Sequence, residues 1–194
     1  MSRIATTFQN LKRQGKKALI PYITAGDPQL ATTLQLMRLL IEEGADVIEI
    51  GVPFSDPMAD GPVIQRANER ALKHGIGLVN VLEMLEEFRS QNDHTQVVLM
   101  GYANPIEAMG VHQFAERAAR AGVDGVITVD YPPEESSNYL TALRQQEIDS
   151  IFLLSPTTTL CRAEIILQEA RGFVYYVSRT GVTGAAHLDL IDVA

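Results

Sequence analysis

Apolar and polar positions along this chain switch repeatedly between a period of two and a period near 3.6. Ile4, Phe8 and Leu11 share one face of a short predicted helix over 3–14, which Gly15 ends. Lys17 to Thr24 reads as a first strand, with Pro21 an oddity for a central position. Asp27-Pro28 predicts an N-cap followed by an N1 proline. Leu30, Leu34, Met37 and Ile41 then form a helical stripe that Gly44 stops. The second strand is the apolar run within 46–51. Pro62 opens a helix to about His74, and after Gly75 and Gly77 the cluster Val81, Leu82, Leu85 and Phe88 predicts another. Further strands are expected at 97–102, 125–130, 148–154 and 173–178. Helices fall between them at 105–121 (broken at Gly110), 134–146 and 160–170. A glycine-rich loop covers 179–186, and His187 begins another helical pattern.

This is strand–helix about six times over, with short connections, which predicts a parallel sheet with right-handed crossovers. Gly44-Ala-Asp before the second strand resembles Gly122-Val-Asp before the fourth. Repetition of one βα unit suits an α/β fold of the (β/α)8 TIM-barrel kind better than a two-sided open sheet, although alternation alone leaves both available.

One stretch concentrates the candidate chemistry: Asp46-Val-Ile-Glu-Ile-Gly-Val-Pro-Phe-Ser-Asp-Pro-Met-Ala-Asp-Gly-Pro62. Strand alternation puts Val47, Glu49 and Gly51 on one face and Ile48 and Ile50 on the other. A carboxylate inside so short an apolar strand is costly unless paired, solvated or functional. Pro53, Pro57 and Pro62 keep the following loop from being helical, and that loop carries Asp56 and Asp60. Glu49 on a rigid strand and Asp60 on a stiffened loop are a plausible general acid/base pair. The plainer alternative stays open here: Glu49 facing water from an edge strand, and Asp60 serving only as a turn or cap residue. Polar and aromatic residues also gather at the C-terminal ends of the strands, at Thr24, Tyr102, Asn104, Asp130, Ser155, Tyr175 and Ser178. That is the end of a barrel that holds its site.

Composition narrows the classes. The 194 residues carry a formal net charge of −8 and are 46% hydrophobic, enough for a real core. An acidic balance without a basic cluster argues against nucleic acid or an anionic membrane as partner. The one cysteine, Cys161, excludes an internal disulfide framework and points to a reducing compartment. No apolar run reaches the length of a membrane span, and the N-terminus lacks the apolar core of a signal peptide, so the cytoplasm is the expectation. None of Lys12, Lys16, Lys17 and Lys73 lies deep in a strand or at its C-terminal end, which argues against a Schiff-base lysine. His74, His94, His112 and His187 have no metal-ligand spacing, so no metal is expected. No glycine fingerprint for a dinucleotide follows a strand. Carboxylate acid/base work remains. The loop Ser178-Arg-Thr-Gly-Val-Thr-Gly-Ala is a second candidate, able to close over a ligand or to accept an anion.

Four segments together carry a family resemblance: Pro-Tyr-Ile-Thr-Ala-Gly-Asp-Pro (21–28), the run 49–62, Met-Gly-Tyr-Ala-Asn-Pro (100–105) and Ser-Arg-Thr-Gly-Val-Thr-Gly (178–184). In this order they closely resemble the tryptophan synthase alpha subunit. The resemblance implies a (β/α)8 barrel that cleaves indole-3-glycerol phosphate to indole and glyceraldehyde 3-phosphate by a retro-aldol step, with no cofactor in this subunit. It implies Glu49 as general acid/base and Asp60 as the group facing the indole N–H. It implies an indole pocket lined by Tyr22, Met100, Tyr102, Ile127, Leu153 and Tyr175, with Tyr22 where the family commonly has phenylalanine. Thr183 and Gly184 would belong to a closing loop, Thr183 orienting the carboxylates. Pro53 and Asp56 would face a beta subunit that carries pyridoxal phosphate, in an alpha-beta-beta-alpha assembly with a tunnel for indole. The resemblance also implies phosphate-binding loops after strands seven and eight, which lie beyond the pattern here. Residues 1–194 are therefore expected to be one barrel domain, incomplete at its C-terminus and roughly 70 residues short of barrels of about 250. An impaired fragment acting only as a binding or regulatory partner of the beta subunit is the alternative expectation, and another phosphosugar barrel a third.

Overall fold

In a computed structural model, residues 2–177 are described. Helix α1 (Arg3–Arg13) precedes strand β1 (Tyr22–Thr24). Then come α2 (Leu30–Glu42), β2 (Val47–Gly51), α3 (Pro62–Leu72), α4 (Leu78–Arg89) and β3 (Gln96–Gly101). The second half is α5 (Ala103–Met109), α6 (Val111–Arg120), β4 (Gly125–Thr128), α7 (Ser137–Gln145), β5 (Asp149–Leu154), α8 (Leu160–Glu169) and β6 (Val174–Tyr176).

The strands lie in the order β1-β2-β3-β4-β5-β6, each parallel to the next. A doubly wound open sheet reverses its strand order part-way; this one advances by one neighbour at every crossover, as a barrel does. Two separate apolar layers result. Between the strands and the outer helices lie Ile48, Ile50, Val97, Leu99, Val126 and Phe152 with the inward faces of α2, α4, α6 and α7. On the other face of the sheet, Val47, Val98, Ile127 and Ile151 are buried against Ile4 of α1. The fold is the (β/α)8 barrel kind, represented among the described residues by six parallel strands, the first five each followed by helix.

Helix α1 closes the inner layer from the N-terminal end of the strands. Ser2 caps it, accepting from the Ala5 N–H at 3.2 Å, and also hydrogen-bonds Asp149 at the start of β5. Gly125 makes room for the plug, since a side-chain carbon there would come within 3.0 Å of Ile4 and 2.9 Å of Ile151. Beside it, the Arg89 guanidinium donates to the carbonyls of Gly122, Asn92 and Thr95 and to the Asp124 carboxylate, tying α4 to the starts of β3 and β4.

Several boundaries differ from the sequence pattern. The first strand is shorter than 17–24. The chain before Tyr22 still follows β2, with the Leu19 carbonyl accepting from Asp46 and the Pro21 carbonyl from Glu49, but Pro21 has no N–H and breaks the ladder. Asp27 does not cap α2. The Asp27-Pro28 peptide is cis, the N-cap is Gln29, and the Asp27 carboxylate instead takes both arms of the Arg70 guanidinium at 2.7 Å. The fourth strand ends at Thr128, and Asp130 accepts from the Ala103 N–H at 2.8 Å. The expected break at Gly110 is present, with φ +92°. The sixth strand is trimmed to three residues. Among the described residues, no helix is long and apolar enough to cross a membrane, and no cluster of side chains could hold a metal ion.

Candidate active site

Glu49 sits in the middle of β2, paired in register with Tyr22 on one side and Val98 on the other. Since Val47 and Val98 face the inner layer, Glu49 faces it too. It is only 3% exposed. No hydrogen bond from a described residue reaches its carboxylate, and burial pushes its pKa up to about 7. An acid of that strength is present in both protonation states near neutrality, which is what a group that must give and take a proton requires.

Asp60 approaches from the loop between β2 and α3. The Pro57 carbonyl accepts from the Asp60 N–H at 3.0 Å, shaping the turn. Asn68 on α3 donates its Nδ2 to Asp60 Oδ2 at 3.2 Å. The Tyr102 hydroxyl, just beyond β3, accepts from the Ala59 N–H at 3.0 Å and is left to donate to Asp60. Burial raises the Asp60 carboxyl, while the bonds from Asn68 and Tyr102 pull it back down. The two acids thus have different surroundings: Glu49 dry and unpaired by described residues, Asp60 half-buried and doubly held.

Tyr22 pairs in register with Glu49. Its phenol is pushed up to about 12, chiefly by burial, and it feels the charges of both Asp60 and Glu49. The hydroxyl stands 3.3 Å from Thr24 Oγ1. Tyr102 packs on Phe54, with centroids 5.2 Å apart, and its phenol is also raised to about 12 by burial first. Ile127 is fully buried in the inner layer, and Met100, Leu153 and Tyr175 pack on it half-buried. The Tyr175 phenol is raised by burial and, secondarily, by Glu49. Of the described residues expected to carry acid/base chemistry or line a pocket, Tyr22, Glu49, Met100, Ile127, Leu153 and Tyr175 lie on the strands, and Asp60 and Tyr102 adjoin them from the segments just beyond β2 and β3.

The remaining expected residues divide. Asp56 is exposed, but Pro53 is buried within this chain, so of the two only Asp56 offers a surface. The reason is the chain path: Pro53 directly follows β2 and Val52, still under the layer, before the loop turns out. Thr183, Gly184 and the rest of the 179–186 loop lie outside the described residues. Sequence reasoning missed Asn68 and the role of Gly51. The first had a signal: it shares the buried face of α3 with Ala67 and Ala71, where a polar residue needs a partner. A cavity of about 490 Å³ opens at the opposite end of the strands, lined by Arg3, Asp124, Asp149 and Arg171 among others.

The sequence model described as Tryptophan synthase alpha chain matches residues 8–193. The chain belongs to the tryptophan synthase alpha chain family. The tryptophan synthase alpha chain of Chromobacterium violaceum is 62% identical over 194 residues, an alignment covering 100% of this chain and 73% of that one. That of Nitrosomonas europaea is 60% identical over 193 residues, covering 100% and 70%. Among solved structures, tryptophan synthase subunit alpha from Legionella pneumophila str. Paris superposes with a TM-score of 0.89 at 52% identity, over 91% of this chain and 68% of that one. The tryptophan synthase of Mycobacterium tuberculosis gives 0.90 at 39% identity, over 96% and 72%. The likeness to the tryptophan synthase alpha family thus spans the whole sheet that carries Glu49.

Proposed function

We propose that this chain acts as the alpha subunit of tryptophan synthase, a lyase of tryptophan biosynthesis in the cytoplasm. It cleaves indole-3-glycerol phosphate to indole and glyceraldehyde 3-phosphate, within one barrel domain and without a cofactor of its own. The observation that carries this reading is Glu49, an acid 3% exposed in mid-strand on the inner face of the sheet, in a member of this family.

The chemistry follows from those two carboxyls. Protonated Glu49 gives its proton to the ring carbon that bears the glyceryl chain, and the ring nitrogen becomes positive. Asp60, whose charged form its two donors favour against burial, stabilises that charge across the N–H. A base then takes the proton from the adjacent glyceryl hydroxyl; Glu49, now ionised, is placed for it. The carbon–carbon bond breaks, its electron pair returns to the ring, and the hydroxyl carbon becomes the aldehyde. Met100, Ile127, Leu153 and Tyr175 present an apolar wall to the indole, with Tyr22 and Tyr102 at its sides. Thr183 and Gly184 act in closing the site. Indole passes to a beta subunit carrying pyridoxal phosphate in an alpha-beta-beta-alpha assembly. The exposed Asp56 faces that partner, from the loop that follows the buried Pro53. A solved tryptophan synthase complex from Pyrococcus furiosus, with a TM-score of 0.78 at 42% identity, supports such a partner.

The test is indole release from indole-3-glycerol phosphate by the intact protein and by Glu49→Gln. A positioned acid contributes about 10²–10⁴-fold, and a loss of that size is expected. Near-normal turnover by the variant overturns the assignment, as does a beta subunit whose rate responds to this chain while the substrate stays uncleaved.

A further inference from the structure

We propose that Asn68 is a positioning residue for Asp60, holding its carboxylate in one orientation and favouring its charged form. This rests on the reading of Asp60 as the group that stabilises charge on the indole ring.

Asn68 is 3% exposed and lies on the inner face of α3 between Ala67 and Ala71. A buried amide needs a hydrogen-bonding partner, and among the described residues the side chain that Asn68 reaches is Asp60, Nδ2 to Oδ2 at 3.2 Å. The same helix makes a second attachment: Gln65 donates its Nε2 to the Asp60 backbone carbonyl at 2.9 Å. Positions 65 and 68 are three apart and share one helical face. Helix α3 therefore grips both the main chain and the side chain of Asp60, although the loop before Pro62 is free of helical bonds of its own.

The opposing hold comes from Tyr102, whose hydroxyl also bonds the Asp60 carboxylate while accepting from Ala59. The titratable groups facing Asp60 from other elements are Tyr102 and Tyr22, with Glu49 beyond Tyr22. Both phenols stay neutral far above the working range. Asn68 differs from them in having no titration at all, so its donation is constant at every pH. Donation from the amide Nδ2 to this carboxylate favours the anion over the acid.

Asn68→Leu removes the donor while keeping the branched outline and the number of heavy atoms, and Asn68→Ser removes its reach with a smaller polar group. In the intact protein, ¹³C-carboxyl NMR of Asp60 is expected to show its titration midpoint moving up in both variants. Turnover of indole-3-glycerol phosphate is expected to fall about 10-fold or more, mainly in kcat, as for a lost hydrogen bond to a charged group. In an Asp60→Asn background, Asn68→Leu is expected to change turnover by less than about two-fold, because the two act as one unit. Thermal melting identifies a variant that does not fold, and Asn68→Ser then carries the same measurements. An unmoved Asp60 midpoint in a folded variant, or losses that multiply in the double variant, overturns the proposal. If the parent protein releases no indole, the lyase reading fails while the NMR midpoint still decides the role of Asn68.

Discussion

The Tyr22 hydroxyl occupies the space that a side chain on Gly51 would fill. A carbon built there would lie 2.0 Å from the oxygen and 2.6 Å from the ring carbon that bears it. Gly51 is two residues beyond Glu49 on the same face of β2, so the bare backbone lets the phenol lie across the strand beside the acid.

Gly51→Ala is expected to displace that ring. Overpacking of this kind costs about 1–3 kcal/mol, and indole release should fall with it because Tyr22 no longer lines the site. In a Tyr22→Leu background the same change should cost clearly less. Urea unfolding of the two single variants and the double variant measures the coupling; equal costs in both backgrounds would falsify the contact.

Tyr22→Phe removes only the hydroxyl and its 3.3 Å contact with Thr24. The expected stability change is below about 1 kcal/mol. Since the phenol is neutral up to about 12, the acid side of the pH–rate profile should not move. A displaced profile would mean that the hydroxyl governs Glu49 or Asp60 directly.

Glu49 should make stability depend on pH with a definite sign. Its folded pKa, about 7, lies above the ordinary 4.5, so the native state holds the proton more tightly than the unfolded chain. The contribution is fully present below pH 4.5 and is lost as pH rises through 7. The difference is on the order of 3 kcal/mol. Glu49→Gln should flatten this part of the stability curve. Unfolding free energies at several pH values between 4 and 8 give the comparison, and parallel curves for parent and variant would show that burial does not perturb this acid.

Arg89→Met is expected to destabilise the protein by about 3–5 kcal/mol. It leaves Asp124, whose side chain is 4% exposed, without its closer cation, and strips the donor from three carbonyls. Arg3, at 3.1 Å from the other Asp124 oxygen, offsets part of that loss. Arg89→Lys should recover little, because one ammonium cannot span the Gly122, Thr95 and Asp124 oxygens. Denaturant midpoints decide it; a lysine variant as stable as the parent would show that charge alone matters here.

Much of the fold could be read before any coordinates. Repeated switching between strand and helix periods identified each element among the described residues, and Gly110 marked the break between α5 and α6. Two of the misplaced boundaries sit at prolines. Pro21 removes a ladder donor and shortens β1, and Asp27 found a guanidinium 43 residues away in sequence that outcompetes a local cap. Neither effect is visible in a window of ten residues.

The site shows the same division. Alternation along residues 47–51 determined that Glu49 shares a face with Val47 and Gly51, because successive side chains of a strand must point to opposite sides. Which of those faces is the interior was decided only by the sheet: sequential parallel pairing curls it so that one face meets α1 and the other meets the helices. The proton affinity of Glu49 follows from that burial, not from its neighbours in sequence. The grip of Asn68 on Asp60, the phenol of Tyr22 over Gly51 and the burial of Pro53 likewise depend on contacts between separate elements, and only packing brings those within a few ångströms.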